Sequence, residues 1–302
     1  MIFHEFYNDR LSAVAFGCDR ITTADLPLAA EYLDTYVSYG GNFLDTARIY
    51  GFGDCEKALG TWLVKGGNRK KVFLGTKGGH PDLSDMHKGR LDFASLQYDI
   101  CKSLEALKTD HVDMYYLHRD DRSLHVESIV ETLNAFVRRG YTRYIGVSNW
   151  RQDRIVAANA YAISHGLTPF TADQVQFSLA KQAKCDDDTL VIMDKPLYEF
   201  HKRTDMACVC YSSQAKGYFT KLQNGQPLSS LASRWFDCEE NRQILKKLPP
   251  DTATAAALFY LIDQPFPTYA IIGASTPDQL ESSLQSLDTR LGFDAVKLRE
   301  IE

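Results

Sequence analysis

The stretch NFLDTARIYG, residues 42–51, starts as an apolar strand and then sets a carboxylate, Asp45, and a phenol, Tyr50, where the apolar run gives out. Asn42, Phe43 and Leu44 have the mixed apolar character of a buried strand end, and Thr46, Ala47 and Arg48 read as the loop that follows. Buried strands usually end in turn formers such as Gly, Pro or Asn. A carboxylate followed at short range by a phenol therefore points either to a structural hydrogen-bonded pair or to chemistry.

The same pattern recurs along the chain. AVAFG (13–17), KVFLGTK (71–77), VDMYYLH (112–118), YIGVSN (144–149), DQVQFS (173–178), ACVCYS (207–212) and YAIIGAS (269–275) all read as strands and, with NFLDT, make eight. Helix-length amphipathic stretches lie between them, at 25–40, 53–67, 92–110, 125–140, 153–166, 187–203, 251–264 and 276–291. In the third, Leu96, Ile100, Leu104 and Leu107 recur at helical spacing. The last opens with Thr276 as N-cap and Pro277 at the first helical position. No shift in composition marks a linker. Eight strands alternating with eight helices in one domain, residues 1–302, predict an α/β fold, a (β/α)₈ TIM barrel with a parallel sheet. Right-handed crossovers then bring every strand's C-terminal end to one face. Polar residues cluster there: Asp45, Lys77, His118, Ser148, Asn149, Gln174, Tyr211 and Ser275 each lie at or near a strand end.

Composition excludes several classes. With 44% hydrophobic and 24% charged residues and a net charge of -5, the 302-residue chain is ordinary for a globular protein. Lys and Arg are scattered rather than massed, so no nucleic-acid partner is expected. No apolar window approaches the roughly 18 residues that span a bilayer, and the first residues, MIFHEFYNDR, carry neither a basic n-region nor an apolar h-region. A cytoplasmic protein without membrane association is expected. The seven cysteines are dispersed with no C-x-x-C pair, which argues against a disulfide framework or a metal site. Cys208 and Cys210 would share one face of a strand as buried thiols. The run GFGDCE after Tyr50 lacks the third Gly of a dinucleotide fingerprint and follows no Rossmann strand.

The blocks FLDTARIYG, LGTKGG, YYLHRD, GVSNW, DQVQFS, YSSQAKGYF and IIGASTPDQLESSL, in this order and spacing, resemble those of the aldo-keto reductases along nearly the whole chain. The residues themselves argue a chemistry for Asp45, Tyr50 and Lys77. Reducing a carbonyl needs a hydride at carbon and a proton at oxygen, and a free tyrosine with a pKa of about 10 is a reluctant acid. An ammonium on Lys77 would favour the phenolate of Tyr50, while Asp45 holds that lysine charged and oriented. The resemblance adds His118 as the fourth catalytic member, orienting the substrate carbonyl.

The resemblance also implies an extended nicotinamide dinucleotide across the barrel mouth. Ser148, Asn149 and Gln174 would hold the carboxamide, Tyr211 would stack on the ring, and Ser212, Gln214 and Lys216 would meet the pyrophosphate. Gly17, Gly273, Ser275, Gln279 and Ser283 complete the implied cofactor site. Lys216 stands where many relatives carry Arg, which keeps a phosphate contact but loses bidentate geometry. The basic residue that often grips the adenosine 2'-phosphate is missing from the run Gly273, Ala274, Ser275 and from Gln279, and Ser283 replaces the usual Asn. NADP(H) is therefore expected to be favoured only modestly, with NAD(H) plausible, helped by amides at the start of the helix at Pro277.

Candidate substrate walls are Phe52, Trp150, the loop HPDLSDMHKGR (80–90) and an insertion at 219–240 that contains Trp235. The expected function is reduction of a small-molecule aldehyde or ketone, or the reverse, by a monomer or weak homo-oligomer. Two other readings stay open: a nicotinamide-binding regulatory subunit with little turnover, and a barrel enzyme of another reaction class.

Overall fold

The computed structural model describes residues 1–301. Eight parallel strands close into a barrel: β3 (Val14–Gly17), β4 (Phe43–Asp45), β5 (Phe73–Gly78), β6 (Val112–Leu117), β7 (Thr142–Ser148), β8 (Ala172–Gln176), β9 (Ala207–Tyr211) and β10 (Thr268–Ile272). Closure comes from β10 pairing with β3, Ala270 opposite Val14 and Ile272 opposite Phe16. All eight segments read as strands occupy barrel positions. Their near-continuous apolar runs suit strands covered on both faces, by helices outside and by packed side chains inside. The register aligns the polar ends, with Asp45 opposite Gly75, Lys77 opposite Tyr116 and Ser148 opposite Gln174.

Before the barrel, β1 (Phe3–Phe6) and β2 (Asp9–Ser12) form an antiparallel hairpin through Tyr7 and Asn8, a pair of strands not expected from the sequence. It plugs the N-terminal end. Phe6 is buried and meets the rings of Phe73, Tyr144 and Tyr269 edge-on at 5.5, 5.1 and 6.1 Å. Above this plug Phe43, Met114, Tyr116, Val209 and Tyr269 fill the interior. Burying one such aromatic is worth about 1.5–3 kcal/mol, so the hairpin is part of the core.

The outer helices are α1 (Leu26–Ser38), α2 (Asp54–Leu63), α3 (Phe93–Leu107), α4 (Val126–Arg138), α5 (Gln152–Ser164), α6 (Lys195–Lys202), α7 (Tyr218–Gln223), α8 (Ser230–Phe236), α9 (Glu239–Lys247), α10 (Ala253–Ile262) and α11 (Pro277–Gln285). Local chemistry sets several starts. Asp25 and Asp92 accept from the amides of Leu28 and Ser95, each at 3.0 Å, and Thr276 caps α11 through the Gln279 amide at 3.2 Å, as its Thr-Pro start predicts.

One expectation is corrected. The helix expected over 187–203 forms only as α6, Lys195–Lys202. Its β-branched approach instead runs extended beside the end of β8, where Gln176 exchanges backbone bonds with Val191 and Met193 at 3.2 and 2.9 Å. Asp194 and Pro196 then start the helix, the Asp194 carboxylate accepting from the Leu197 amide at 2.9 Å. The insertion at 219–240 is built of α7, α8 and the start of α9. No helix among the described residues is long and apolar enough to cross a membrane.

Candidate active site

Asp45 ends β4, Lys77 lies one residue from the end of β5, and the loop after β4 bends back so that Tyr50 stands over both. The Lys77 ammonium donates to Asp45 Oδ2 at 2.6 Å, to the Thr46 carbonyl at 2.8 Å and to the Tyr50 hydroxyl at 3.2 Å. Gln174 Nε2 reaches across from β8 to Asp45 Oδ1 at 2.9 Å. Lys77 is fully buried and Asp45 nearly so, whereas Tyr50 is only partly buried.

The loop that carries Tyr50 is braced from behind. Arg48 donates to the buried Glu56 on α2 at 2.8 Å and to the Phe52 carbonyl at 3.1 Å, while Glu56 accepts from Thr76 on β5 at 2.8 Å. Gly53, at φ +90°, packs so tightly on Arg48 that a Cβ there would sit 1.8 Å from its Nη1.

Electrostatics sort these groups. Burial alone would lower the Lys77 pKa, but Asp45 and Tyr50 outweigh it and hold the ammonium above its ordinary value. Burial pushes the Asp45 carboxyl up, with Lys77 and Gln174 opposing. For Tyr50, burial is again the largest influence and the net direction is upward; Lys77 pulls it down without prevailing. The sequence reading counted only the lysine's pull, because the density of protein around the phenol is a tertiary property. His118, just past β6, has its pKa pushed well down by burial, then by Lys77, Arg119 and His80, so its imidazole is neutral. Its ring lies edge-on to Tyr50 at 5.7 Å and to His80 at 4.8 Å.

On the opposite side of the mouth the residues expected to meet a carboxamide bond one another. Ser148 donates to the Gln174 carbonyl at 2.8 Å, and Asn149, at φ +61°, donates to Ser148 Oγ at 3.0 Å. The Asn149 side-chain carbonyl accepts from Tyr211 OH at 2.6 Å and the Val191 amide at 3.1 Å. The segment after β9 turns repeatedly through left-handed conformations, at Ser212, Ala215, Lys216 and Gly217. The Ala215 and Gly217 amides close these turns on the Ser212 and Gln214 carbonyls, both at 2.8 Å. Gln214 joins this segment to α11 through Ser283 at 3.1 Å. A Cβ on Gly273 would meet only Asp19, at 3.9 Å, so open space lies beside the end of β10, whereas one on Gly17 would press on Ile271 at 3.0 Å, because β3 and β10 approach closely there.

Arg20, which the sequence reading passed over, enters here. Its Nη1 donates to Ser275 Oγ at 3.3 Å, and Ser275 in turn donates its amide to Gln279 at 3.0 Å. A cation thus stands beside the run that looked uncharged, supplied from after β3 rather than from β10. Its signal was a basic residue three past a strand end, visible only once β3 and β10 are known to be neighbours. Arg119 was also missed, and His80 entered only as the first residue of the candidate wall loop 80–90. Arg119 is buried and ties His118 to the loop after β8 through Thr189 at 3.0 Å and Asp187 at 3.4 Å.

Among the candidate walls, Trp150 is excluded. It is fully buried behind the mouth against Phe170, with the Arg154 guanidinium over its ring at 5.2 Å. Trp235 is braced by Asp186 at 2.8 Å and covered by the Lys216 ammonium at 5.2 Å. Phe52 projects from the rim, 73% exposed. Cys208 and Cys210 are buried free thiols facing the helices, their sulfurs 3.6 Å apart.

A sequence profile described as "Aldo/keto reductase family" matches residues 13–300. The chain belongs to the aldo/keto reductase family. This aldo/keto reductase is 27% identical to an aryl-alcohol dehydrogenase of Pestalotiopsis microspora over 287 residues, covering 91% of this chain and 72% of that protein. It is 25% identical to a norsolorinic acid reductase of Aspergillus flavus, at 94% and 72% coverage, and 28% identical to the uncharacterized oxidoreductase YrpG of Bacillus subtilis, at 95% and 89%. In fold it is similar to the holo form of the aldo-keto reductase AKR11C1 of Bacillus halodurans, with a TM-score of 0.79 at 20% identity, covering 100% of this chain and 97% of the other. Family and fold together make it an oxidoreductase acting on carbonyls.

Proposed function

We propose that this chain, acting as one barrel domain, is an NAD(P)(H)-dependent carbonyl reductase or alcohol dehydrogenase with Tyr50 as general acid and base. The observation that carries the reading is the sequence of contacts Gln174–Asp45–Lys77–Tyr50 at one mouth, beside a neutral His118. A nicotinamide cofactor supplies the hydride when bound. The residues present suit such a group: the cations Lys216 and Arg20 match a chain of phosphates, and the open space at Gly273 leaves room beside them.

The protein's own contribution is to place one proton. Tyr50 gives its hydroxyl proton to the substrate oxygen as charge develops there, and Lys77 stabilises the phenolate left behind. Asp45 keeps Lys77 charged, and Gln174 holds Asp45. The His118 Nδ1 atom is sealed without a partner. A buried lone pair without a partner costs less than a buried N–H, so the proton sits on Nε2, where it donates to the same oxygen.

NADP(H) is modestly preferred over NAD(H), and the cytoplasm is the proposed compartment. Fluorescence titration of NADPH and NADH, followed by absorbance at 340 nm over a panel of aldehydes and ketones, tests the reading. Binding with turnover is expected. Binding without turnover would favour a regulatory role, and absence of binding would remove the cofactor from the account.

A further inference from the structure

His80 lies two residues past the end of β5, and its ring is 4.8 Å from that of His118, nearer than the Tyr50 ring at 5.7 Å. Its placement is built rather than incidental. The Gly79 amide donates to the buried Asp99 at 2.9 Å, Arg90 spans Asp99 at 3.0 Å and the His80 carbonyl at 2.9 Å, and Gly79 adopts φ +72°. A Cβ at Gly79 would lie 2.4 Å from Leu91, so this segment has one way to pack.

The two imidazoles present opposite hydrogen-bonding character. His80 Nδ1 lies 2.7 Å from the Pro81 carbonyl, which can only accept, so Nδ1 carries the proton and Nε2 is left as a bare lone pair. That Nε2 makes no hydrogen bond among the described residues and is not sealed from solvent. Burial, with Arg119 and Arg90, holds the His80 pKa below its ordinary value and keeps the lone pair available at neutral pH. His118 has the reverse arrangement, its donor on Nε2. One mouth therefore offers Tyr50 and His118 as donors to one oxygen and His80 as an acceptor beside them, the two imidazole centroids 4.8 Å apart.

We propose that His80 determines substrate choice by accepting a hydrogen bond from a hydroxyl on the carbon next to the reacting carbonyl, making α-hydroxy aldehydes and ketones the preferred substrates. The inference rests on the carbonyl-reductase reading above. The reaction balances as hydroxy-carbonyl plus NAD(P)H plus a proton giving a vicinal diol plus NAD(P)⁺. The hydride forms the new C–H bond, the carbonyl π bond breaks, and Tyr50 delivers the proton to oxygen. His80 stays outside the proton transfer and fixes which face and which neighbour the carbonyl presents.

The test compares 3-hydroxybutan-2-one with 3-methoxybutan-2-one, which withdraws electrons similarly but has no proton to donate. The ratio of kcat/KM for hydroxy over methoxy ketone is measured in the parent, in His80→Leu and in His80→Gln, whose Oε1 can accept near the place of Nε2. A ratio of up to about tenfold is expected in the parent, the upper end of what one net hydrogen bond contributes. It should fall several-fold in His80→Leu and be largely kept in His80→Gln. Reduction of both ketones with a parent ratio near one, or with the parent ratio unchanged in His80→Leu, would overturn the role of His80 while leaving the reductase reading intact. A parent that reduces neither ketone nor any other carbonyl in the panel overturns both. If His80→Leu does not fold, the parent ratio and His80→Gln decide: a low ratio, or one that glutamine abolishes, rejects the acceptor.

Discussion

Replacing Asp45 with Asn keeps the shape of the side chain but leaves the Lys77 ammonium, fully buried and 2.6 Å away, without its counter-charge. Breaking a buried ion pair from one side costs about 3–5 kcal/mol, because a charge is stranded in the interior. With an unfolding entropy of about 2.1 cal/mol/K per residue, that corresponds to a fall of about 5–8 °C in Tm for a chain of this length. Lys77→Met should cost less, since the isolated Asp45 can take up a proton. The double variant, with no buried charge, should recover to within about 2 kcal/mol of the parent, giving a strongly non-additive cycle in urea or thermal unfolding. The pH dependence has a definite sign. In the parent the folded Lys77 pKa lies above its unfolded value, so its stabilisation is complete below about pH 10.5 and is lost only as pH rises through the folded pKa. In Asp45→Asn the dominant raising influence is gone and burial takes the pKa below the unfolded value. The variant should therefore regain stability as pH rises from 7 toward 10, narrowing its gap to the parent. A single variant within about 0.5 kcal/mol of the parent, or an additive cycle, would refute the pairing as the feature that fixes this site.

Tyr50→Phe should lower turnover by about 10² or more, the scale of losing general acid catalysis, with nicotinamide binding kept; aldehyde reduction followed at 340 nm at the parent rate would reject Tyr50 as the acid. Arg20→Gln should weaken NADPH about tenfold more than NADH by fluorescence titration, given its position at Ser275 and Gln279; equal losses for the two would mean that Arg20 serves a group common to both. Gly53→Ala should displace Arg48, which occupies the space of the added methyl, and with it the loop bearing Tyr50; a variant with parent kcat and Tm would show that the brace does not position the acid.

The barrel was legible because each strand is a short, apolar, β-branched or aromatic run covered on both faces, a pattern that survives without tertiary information. The helix over 187–203 was overdrawn for the converse reason. Val191, Ile192 and Met193 are apolar in either conformation, and only the backbone of Gln176 beside them selects the extended one. The N-terminal hairpin stayed hidden because its turn at Tyr7 and Asn8 lacks the Asn-Gly or Asp-Gly signal. Within the candidate site, the strand ends announced Asp45, Lys77 and His118. Arg20 and His80 are loop residues whose neighbours come from strands remote or offset in sequence, and no local pattern distinguishes them from solvated surface. Trp150 shows the opposite error: an aromatic after a strand end can turn back into the core.

The three N–H groups of Lys77 match three acceptors, Asp45, the Thr46 carbonyl and Tyr50, and Gln174 closes the far side of Asp45. Lys77 beneath the phenol is fully buried and Asp45 nearly so, and the hairpin stops the tube below. The interior is therefore a dead end for proton traffic: a proton lost by Tyr50 cannot be replenished from the barrel's depths and has to arrive through the same opening that admits the reactants. Whatever occupies that opening governs both arrival of substrate and recharging of the acid, so crowding the rim should slow proton return even where the chemistry at carbon is untouched.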